Sequence, residues 1–243
     1  MKVFAKSDIG KAREMNQDSY YVSQPSPNVG LYIVADGMGG YNGGEIASSL
    51  AITATKNYIE NNFSKIKNSK EDLKKLIKNA IEYANMIVYE KSKESPELEG
   101  MGTTIEVVLA VNNRVYIGHI GDSRIYRIRK EFVRKLTVDD SYVQTLVKDG
   151  KITKEEALHH PKKNMLMKAL GCTAFVEPIV TVEGFQKDDI IVITSDGLTN
   201  MVTDEEMYNI IKDDINTAAD KLINKANDAG GLDNITVIII SNS

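Results

Sequence analysis

The chain has 243 residues, of which 42% are hydrophobic and 26% are charged, and its formal net charge is -4. Such a composition can bury a sizeable core, and the small acidic excess argues against a nucleic-acid-binding surface. The single cysteine, Cys172, excludes an internal disulfide, and one cysteine with three histidines excludes a Cys/His zinc site. Any bound metal is therefore expected to be held by oxygen ligands, which favours Mg²⁺ or Mn²⁺.

The hydrophobic residues are not arranged as a targeting or membrane-spanning segment. Residues 1–8 lack the long apolar region of a secretory signal, and no apolar run approaches the roughly 20 residues that cross a bilayer. Acidic and basic residues are interspersed, and no linker interrupts the chain. We therefore expect one cytoplasmic domain over residues 1–243 that acts as a monomer and binds neither membrane nor nucleic acid.

Hydrophobic periodicity and turn residues divide the chain into strands and helices. In chain order, the predicted elements are strands at 2–7, 18–24 and 31–35, helices at 45–63 and 69–88, strands at 102–111, 115–120, 124–129 and 132–136, a helical region at 139–170, strands at 175–182 and 190–194, helices at 203–212 and 217–227, and a strand at 235–240 that closes the sheet. Many hairpins and few βαβ units favour an α+β fold over a doubly wound one. We expect two mainly antiparallel sheets packed face to face, with helices outside.

Two early segments are rich in polar residues or glycine. The loop at 9–18 carries Arg13, Asn16 and Asp18. Its composition is typical of a solvated loop, although arginine is the side chain best shaped to grip a phosphate with two parallel hydrogen bonds. The glycine cluster at 37–44 does not have the Rossmann spacing. Gly39 and Gly44 have the P-loop separation, but Glu45-Ile46 replaces the Lys-Ser/Thr that a P-loop requires. We expect these glycines to bring the backbone close to a ligand or to adopt positive φ.

The region at 139–170 differs from its surroundings because it predicts short helices and no strand. We interpret it as an insertion that lies over the sheet. The histidines are not predicted as ligands: His159 and His160 adjoin a proline in a surface turn, and His119 lies within a strand, where a hydrogen-bonded core histidine is the more common case.

Four aspartates lie at the ends of predicted buried strands: Asp36, Asp122, Asp196 and Asp233. Buried carboxylates that are held together repel each other unless protons or cations intervene. If the four converge, they predict a metal site. The alternative is a set of unrelated turn residues, since an Asp-Gly dipeptide alone is most often a hairpin turn.

Several short motifs, each different from the others, are distributed in a specific order along nearly the whole chain. They are Arg13 with Asn16-Gln-Asp18, Val34-Ala-Asp-Gly-Met-Gly-Gly40, Gly44-Glu-Ile-Ala-Ser48, Gly100-Met-Gly-Thr-Thr104, Gly121-Asp-Ser-Arg124, Leu136-Thr-Val-Asp139, Lys168-Ala-Leu-Gly171, Ser195-Asp-Gly-Leu198 and Gly231-Leu-Asp-Asn-Ile-Thr236. Each motif is common alone, but their joint order and spacing are highly specific. The chain strongly resembles the metal-dependent PPM protein serine/threonine phosphatases of the 2C type, in their short bacterial form.

The resemblance implies a four-layer αββα sandwich with a two-metal centre in the cleft between the sheet edges. By position, Asp36 would bridge two Mn²⁺ or Mg²⁺ ions, with the carbonyl group of Gly37 as a further ligand. Asp196 and Asp233 would complete one metal site, and Asp18 would act through a metal-bound water.

The same resemblance assigns three further features. Asp122, together with Asp196, would support a third, weaker metal, Arg13 would be the phosphate clamp, and the region at 139–170 would be the flap beside the active site. The implied catalytic residues are Arg13, Asp36, Asp196 and Asp233.

The implied activity is hydrolysis of phosphoserine and phosphothreonine in proteins by a metal-activated water, without a covalent enzyme intermediate. By resemblance, the partners are phosphorylated proteins, including a bacterial Ser/Thr kinase and its substrates. A phosphatase for a regulatory anti-anti-sigma factor is the alternative within the fold, and a catalytically dead phosphoprotein-binding module is the alternative from another class. The intact aspartates argue against the binding module, because a site that only binds has no use for clustered unpaired carboxylates.

The sequence departs from the family pattern at two places. Met38 occupies the position at which many eukaryotic relatives have a histidine that is proposed to protonate the leaving oxygen. Methionine cannot donate a proton, so water is predicted to do so here. The chain also has Asp139-Asp140-Ser141 where the family often has Asp-His-Ser, and this change carries no catalytic conclusion.

Overall fold

The strands form two antiparallel sheets in the computed structural model, which describes residues 1–24, 26, 28–39, 43–67 and 69–243. The strands are β1 (Lys2–Asp8), β2 (Asp18–Val22), β3 (Val29–Met38), β4 (Gly102–Thr103), β5 (Ile105–Val111), β6 (Arg114–Ile120), β7 (Arg124–Arg129), β8 (Phe132–Lys135), β9 (Ile179–Gly184), β10 (Ile190–Thr194) and β11 (Ile235–Ser241). The first sheet has the order β1-β11-β10-β7-β8. The second has the order β2-β3-β5-β6-β9, with β4 paired to β3.

Helices cover the outer faces of both sheets. In chain order, the helices of the described residues are α1 (Gly43–Phe63), α2 (Lys70–Ser92), α3 (Tyr142–Lys148), α4 (Lys154–Leu158), α5 (Asp196–Thr199), α6 (Asp204–Asp213) and α7 (Ala218–Asp228), with a 3₁₀ turn at Pro96–Leu98. In the part of the chain that the structure describes, none of these helices combines the length and apolar character needed to cross a membrane.

Three hydrophobic cores hold the layers together. The apolar stripes of α1 and α2 pack on the second sheet, and those of α6 and α7 pack on the first. The third core lies between the two sheets and includes Tyr32, Ile117 and Ile191. The predicted α+β class and the αββα layer order are therefore confirmed.

The predicted strand at 102–111 is two strands, because Thr104 interrupts it. The Thr104 backbone N–H donates to the Asp36 carbonyl oxygen at 2.9 Å, and the Thr104 hydroxyl oxygen accepts from the Asp36 N–H at 3.0 Å. As a result β4 pairs with the last residues of β3, and β5 pairs with the earlier ones.

The predicted strand at 175–182 begins only at Ile179. Pro178 has no N–H to donate to the ladder. Before it, the buried amide of Asn85 binds the carbonyl oxygens of Thr173 and Ala174, at 3.0 and 3.2 Å, which holds this segment outside the sheet.

The region at 139–170 is helical as predicted, but it does not lie over the face of a sheet. The α3 and α4 helices pack mainly against each other. The base of the region is attached where β6 ends: the Asp140 N–H donates to the Gly121 carbonyl oxygen at 2.7 Å, and Leu170 and Thr103 exchange two backbone hydrogen bonds. The flap therefore extends from one end of the sandwich.

The predicted strand at 235–240 does not close the sheet at its edge. It lies in the first sheet between β1 and β10. Its burial explains this position, because every residue of β11 is buried, whereas an edge strand leaves part of its surface to solvent.

Gly118 in β6 provides a test of the packing between α2 and the second sheet. A Cβ atom on Gly118 would lie 2.4 Å from Cγ2 of Ile77 and 2.5 Å from Cδ1 of Ile81. We predict that Gly118→Ala lowers the free energy of unfolding by about 1–3 kcal/mol, because α2 has to shift outward. Urea unfolding measures the change.

The matched control is Gly184→Ala in the neighbouring strand β9. The nearest atom to its added Cβ would be Nη2 of Arg129 at 3.8 Å, which is ordinary contact. This variant is expected to stay within about 0.5 kcal/mol of the parent protein. Equal losses for the two variants would show that the close approach of α2 is not what Gly118 serves.

Candidate metal centre

Asp18 and Asp36 lie side by side in the second sheet. Asp18 is the first residue of β2, and Asp36 is its direct partner in the antiparallel register of β3. Directly paired residues project to the same face of a sheet, so both carboxylates lie on one face. Gly37 follows, and a Cβ there would lie 2.1 Å from the Gly44 carbonyl oxygen, so this position requires glycine.

Asp196 and Asp233 reach the same end of the sandwich from the first sheet. Asp196 opens α5 just after β10, and Asp233 lies two residues before β11. Because β10 and β11 are antiparallel neighbours, the end of one lies beside the start of the other. Gly197 allows the two segments to touch, since a Cβ there would lie 2.0 Å from the Asn234 carbonyl oxygen.

Asp122 lies in the crossover at 121–123 that joins the two sheets, between β6 and β7. The next residue, Ser123, is fully buried, and its hydroxyl oxygen lies 2.9 Å from that of Thr104. Since Thr104 also holds the backbone of Asp36, the crossover and the end of β3 form one hydrogen-bonded unit. The structure thus brings the predicted aspartates to one end of the molecule.

Burial and mutual repulsion raise the pKa values of these carboxyl groups. Loss of solvation raises the pKa of Asp18 to about 7, and repulsion from Asp196 and Asp233 adds to it. Loss of solvation also raises the pKa of Asp122 to about 7, with Asp196 again contributing. The pKa of Asp36 lies well above its usual range, because of burial and then of repulsion from Asp18 and Asp196. Ionising all of these groups together requires a compensating cation.

The oxygen atoms of the site fit a hard divalent cation. Asp18 is only 8% exposed, and its Oδ2 accepts a hydrogen bond from the Ser195 hydroxyl at 2.7 Å. Its other oxygen, Oδ1, is buried and has no hydrogen-bond partner among the residues that the structure describes. A buried carboxylate oxygen without a partner is costly unless a cation or a proton compensates it. Carboxylate and carbonyl oxygens are the ligands that Mg²⁺ and Mn²⁺ prefer.

The carboxylates do not form a tight ligand shell as they stand. Within 1–24, 26, 28–39, 43–67 and 69–243, no three acidic, histidine or cysteine side chains are grouped closely enough to hold one ion. Two of the aspartates bind other side chains instead: Arg13 Nη2 donates to Asp233 Oδ2 at 2.8 Å, and Asn200 Nδ2 donates to Asp196 Oδ2 at 3.0 Å. Coordination would therefore require these side chains to rotate while the backbone stays in place.

The glycine cluster can be followed only in part, because its residues 40–42 lie outside the described residues. Gly39 has φ +136°, which confirms that a glycine of this cluster uses positive φ. Met38 ends β3 and is half-buried.

The three histidines occupy the structural positions that the sequence predicted for them. His119 is 1% exposed; its Nδ1 lies 2.7 Å from Glu106 Oε1, and its Nε2 lies 2.8 Å from the Val138 carbonyl oxygen. Burial alone would lower the pKa of His119, but the adjacent Glu106 outweighs it and raises that pKa to about 9. His159 and His160 follow α4 in a surface turn, where the sequence predicted them.

Sequence reasoning assigned no role to the small polar side chains that hold the aspartates. Ser195 binds the Asp18 side chain, Thr104 binds the Asp36 backbone, and Asn200 binds Asp196. The first two lie inside the quoted motifs, beside or between the acidic residues, and this position is the signal that could have identified them.

Residues 10–229 of the chain match the family model for protein phosphatase 2C. The chain belongs to the protein phosphatase 2C family. It is 37% identical over 237 residues to the serine/threonine phosphatase stp of Listeria monocytogenes, an alignment that covers 97% of this chain and 93% of that protein. The resemblance inferred from the motifs is thus confirmed, and the chain is a phosphatase, an enzyme that hydrolyses phosphomonoesters.

Solved structures of this family share the αββα sandwich. The serine/threonine phosphatase of S. agalactiae superposes with a TM-score of 0.92 at 36% identity, covering 100% of this chain and 99% of that one. The catalytic domain of the phosphatase PstP, solved in complex with two manganese ions, gives a TM-score of 0.85 at 35% identity and covers 98% and 96% of the two chains. The individual roles of Arg13 and of the predicted metal ligands stay predictions.

Asp18 provides a pH-dependent test of the electrostatics of this family site. Its pKa is raised from 3.8 to about 7 in the folded protein. Between these values the folded state binds more protons than the unfolded state, so its stability falls as the pH rises from about 4 to about 7. We predict that, in excess chelator, Asp18→Asn gains stability relative to the parent protein over this range and keeps the gain above it. Thermal unfolding at a series of pH values measures it.

The control for this prediction is Asp228→Asn, because the Asp228 side chain is 81% exposed and its ion pair with the exposed Lys11, at 3.7 Å, contributes little. Its stability is expected to follow that of the parent protein at every pH. If the Asp18→Asn curve also ran parallel to the parent curve, the raised pKa of Asp18 would be refuted.

Proposed function

We propose that this phosphatase acts on phosphoserine and phosphothreonine in proteins, with divalent cations and with water as the nucleophile. One observation carries the proposal: acidic side chains from both sheets and from the crossover lie at the same end of the molecule as Arg13. They are Asp18, Asp36, Asp122, Asp196 and Asp233. Relatives that are named serine/threonine phosphatases support the choice of substrate class.

The cations are Mn²⁺ or Mg²⁺ in this proposal, two per chain. Asp36 and the Gly37 carbonyl would hold the pair, with Asp196 and Asp233 completing one position and Asp18 contacting it indirectly. When bound, two such ions lower the pKa of a shared water and neutralise charge that develops on the phosphoryl oxygens. The all-oxygen donor set and a relative solved with two manganese ions support this assignment.

A third, weaker cation site is proposed at Asp122, which shares the repulsion of Asp196. The crossover that carries Asp122 is fixed on both sides, because Ser123 binds Thr104 and Arg124 forms two hydrogen bonds to Asp139 Oδ2, at 2.8 and 3.1 Å. These contacts hold the segment that carries Asp122 in place.

Arg13 would bind two oxygens of the substrate phosphoryl group and orient it for in-line attack. Its guanidinium already lies 2.8 Å from the Asp233 carboxylate, so it reaches the substrate by exchanging partners within the site. The hydrogen bond to Asp233 raises the pKa of Arg13, which keeps the group cationic at any working pH.

The proposal is tested by hydrolysis of a phosphothreonine peptide, with the phosphotyrosine peptide of the same sequence alongside. We expect turnover of the phosphothreonine peptide with Mn²⁺, and none in excess chelator. Asp196→Asn should lower kcat by roughly 100-fold or more, because it removes a proposed ligand.

The exposed Asp228→Asn variant is the control for this experiment and should retain parental kcat. Calorimetry of Mn²⁺ binding to each variant separates loss of metal from loss of chemistry. Mn²⁺ binding without turnover of either phosphopeptide would reject the proposed hydrolysis of phosphoproteins and favour binding of phosphoproteins without hydrolysis.

Water is the proposed donor of the proton to the leaving oxygen, because Met38 has no proton to give. His119 cannot take this role from its buried position between Glu106 and Val138. We predict that the pH–rate profile on an aryl phosphate keeps its acid limb in His119→Gln. An acid-limb pKa that disappears in this variant would assign the proton transfer to His119.

We further propose that its protein substrates include a Ser/Thr kinase and the proteins that the kinase phosphorylates. This proposal rests on the family resemblance alone. Dephosphorylation of an autophosphorylated kinase domain, compared with a phosphorylated anti-anti-sigma factor at equal concentration, distinguishes the two substrates; a preference for the second would reject the kinase assignment.

A further inference from the structure

Asn234 is a buried amide that binds the backbone on both sides of Arg13. Its side-chain Nδ2 donates to the carbonyl oxygens of Ile9 and Met15, each at 2.9 Å. Its Oδ1 accepts from the backbone N–H of Gln17 at 2.8 Å. Asn234 is 5% exposed, and these bonds use both of its donors and its acceptor.

The loop at 9–17 makes two more attachments to the same segment. The backbone N–H groups of Lys11 and Ala12 both donate to the Gly231 carbonyl oxygen, at 2.8 and 3.1 Å. Gly10, with φ +80°, runs so close that a Cβ there would lie 2.2 Å from the Asp233 carbonyl oxygen. Residues 231–234 therefore hold the loop at several points along its length.

Asparagine is the side chain that this geometry requires. Two backbone carbonyls and one backbone N–H converge on it, so the side chain must donate twice and accept once in one plane. Aspartate would place carboxylate oxygens against the carbonyls of Ile9 and Met15. An apolar residue would remove the partner of all three part-buried backbone groups, which is costly.

We infer that Asn234 is a positioning residue for phosphate binding, because it holds the loop that aims Arg13 at the site. This inference rests on the proposed function, in which Arg13 binds the phosphoryl group. The hydrogen bonds of the Asn234 side chain go to the backbone of the loop and not to the Arg13 guanidinium. It acts by fixing both ends of the loop, so that Arg13 Nη2 stays beside the Asp233 carboxylate, 2.8 Å away.

The chain offers a closely matched control in Asn85. This asparagine is 1% exposed, donates to two backbone carbonyls, and accepts from the Gly171 N–H at 2.9 Å. Its hydrogen bonds hold residues 171–174 and not the loop at 9–17. Replacing either asparagine by aspartate removes the same kind of hydrogen bonds from an equally buried site, but only one of them is attached to Arg13.

The experiment uses the Mn²⁺-loaded protein and measures phosphothreonine-peptide kinetics together with the calorimetric affinity for inorganic phosphate. The variants are Asn234→Asp, the milder Asn234→Ser, Asn85→Asp and Arg13→Ala, with Asn234→Asp and Asn234→Ser also combined with Arg13→Ala. We expect Asn234→Asp to weaken phosphate binding and to lower kcat/KM by about tenfold or more, since a displaced Arg13 no longer meets the phosphoryl oxygens. Asn85→Asp should change both by less than about twofold, whatever its loss of thermal stability.

The double variants decide whether Asn234 acts through Arg13. In the Arg13→Ala background, a substitution at Asn234 should lower kcat/KM by no more than about twofold further, because its target has been removed. If the two effects multiply, or if Asn85→Asp weakens phosphate binding as much as Asn234→Asp does, the inference is overturned. Asn234→Ser supplies the same comparison if Asn234→Asp does not fold.

Failure of the inference is distinguishable from failure of the proposed function. If the parent protein does not hydrolyse the phosphopeptide, the proposed function fails, and phosphate binding to Asn234→Asp still reports on Arg13. If the parent protein is active and the Asn234 variants behave like Asn85→Asp, only the positioning role is rejected.

Discussion

The cost of gathering carboxylates out of water is the constraint on which the rest of this structure depends. The pKa values of Asp18, Asp36, Asp122 and Asp196 are all raised, with loss of solvation as the largest cause and mutual repulsion adding to it. Such groups separate unless something else fixes them. Here the fixing is done by the main chain: paired strands place Asp18 against Asp36, and antiparallel neighbours place Asp196 near Asp233. The free energy for the arrangement therefore comes from the sheets and their cores.

Small polar side chains connect the acidic ends of the two sheets. The core between the sheets is apolar. At the acidic end, hydrogen bonds of hydroxyl groups connect the sheets instead: Thr104 bonds to Ser123, and Ser195 bonds to Asp18. The base of the flap is attached to the same end. Burial alone would raise the pKa of Asp139, but Arg124 outweighs it and lowers that pKa. Asp139 and Arg124 therefore both remain charged at any pH at which the aspartates of the site are ionised.

Much of the fold could be predicted from the sequence because local signals and burial agree. The α6 helix, for example, starts at a full capping box between Thr203 and Glu206 and follows a clear apolar stripe. Four of the aspartates could be found because each follows or precedes a buried apolar run, whereas the role of Asp18 came only from the family resemblance. The break at Thr104 could not, because it arises from hydrogen bonds to Asp36, 68 positions away. The role of Asn234 could not be predicted from the sequence either, since its hydrogen-bond partners lie more than 200 positions earlier in the chain.

The central position of β11 has a consequence for how the enzyme folds during its synthesis on the ribosome. Strand β1 pairs with β11 in a register that joins Lys2 to Ser241, and β10 pairs with the other edge of β11. Until β11 leaves the exit tunnel, β1 has no partner in the first sheet, while the second sheet, whose last strand β9 ends at Gly184, can already assemble. Such distant pairing is slow to form and leaves an unpaired strand exposed meanwhile. Asp233 and Asn234 arrive with β11, so the nascent chain acquires its acidic centre and the support of its arginine loop in the same late step.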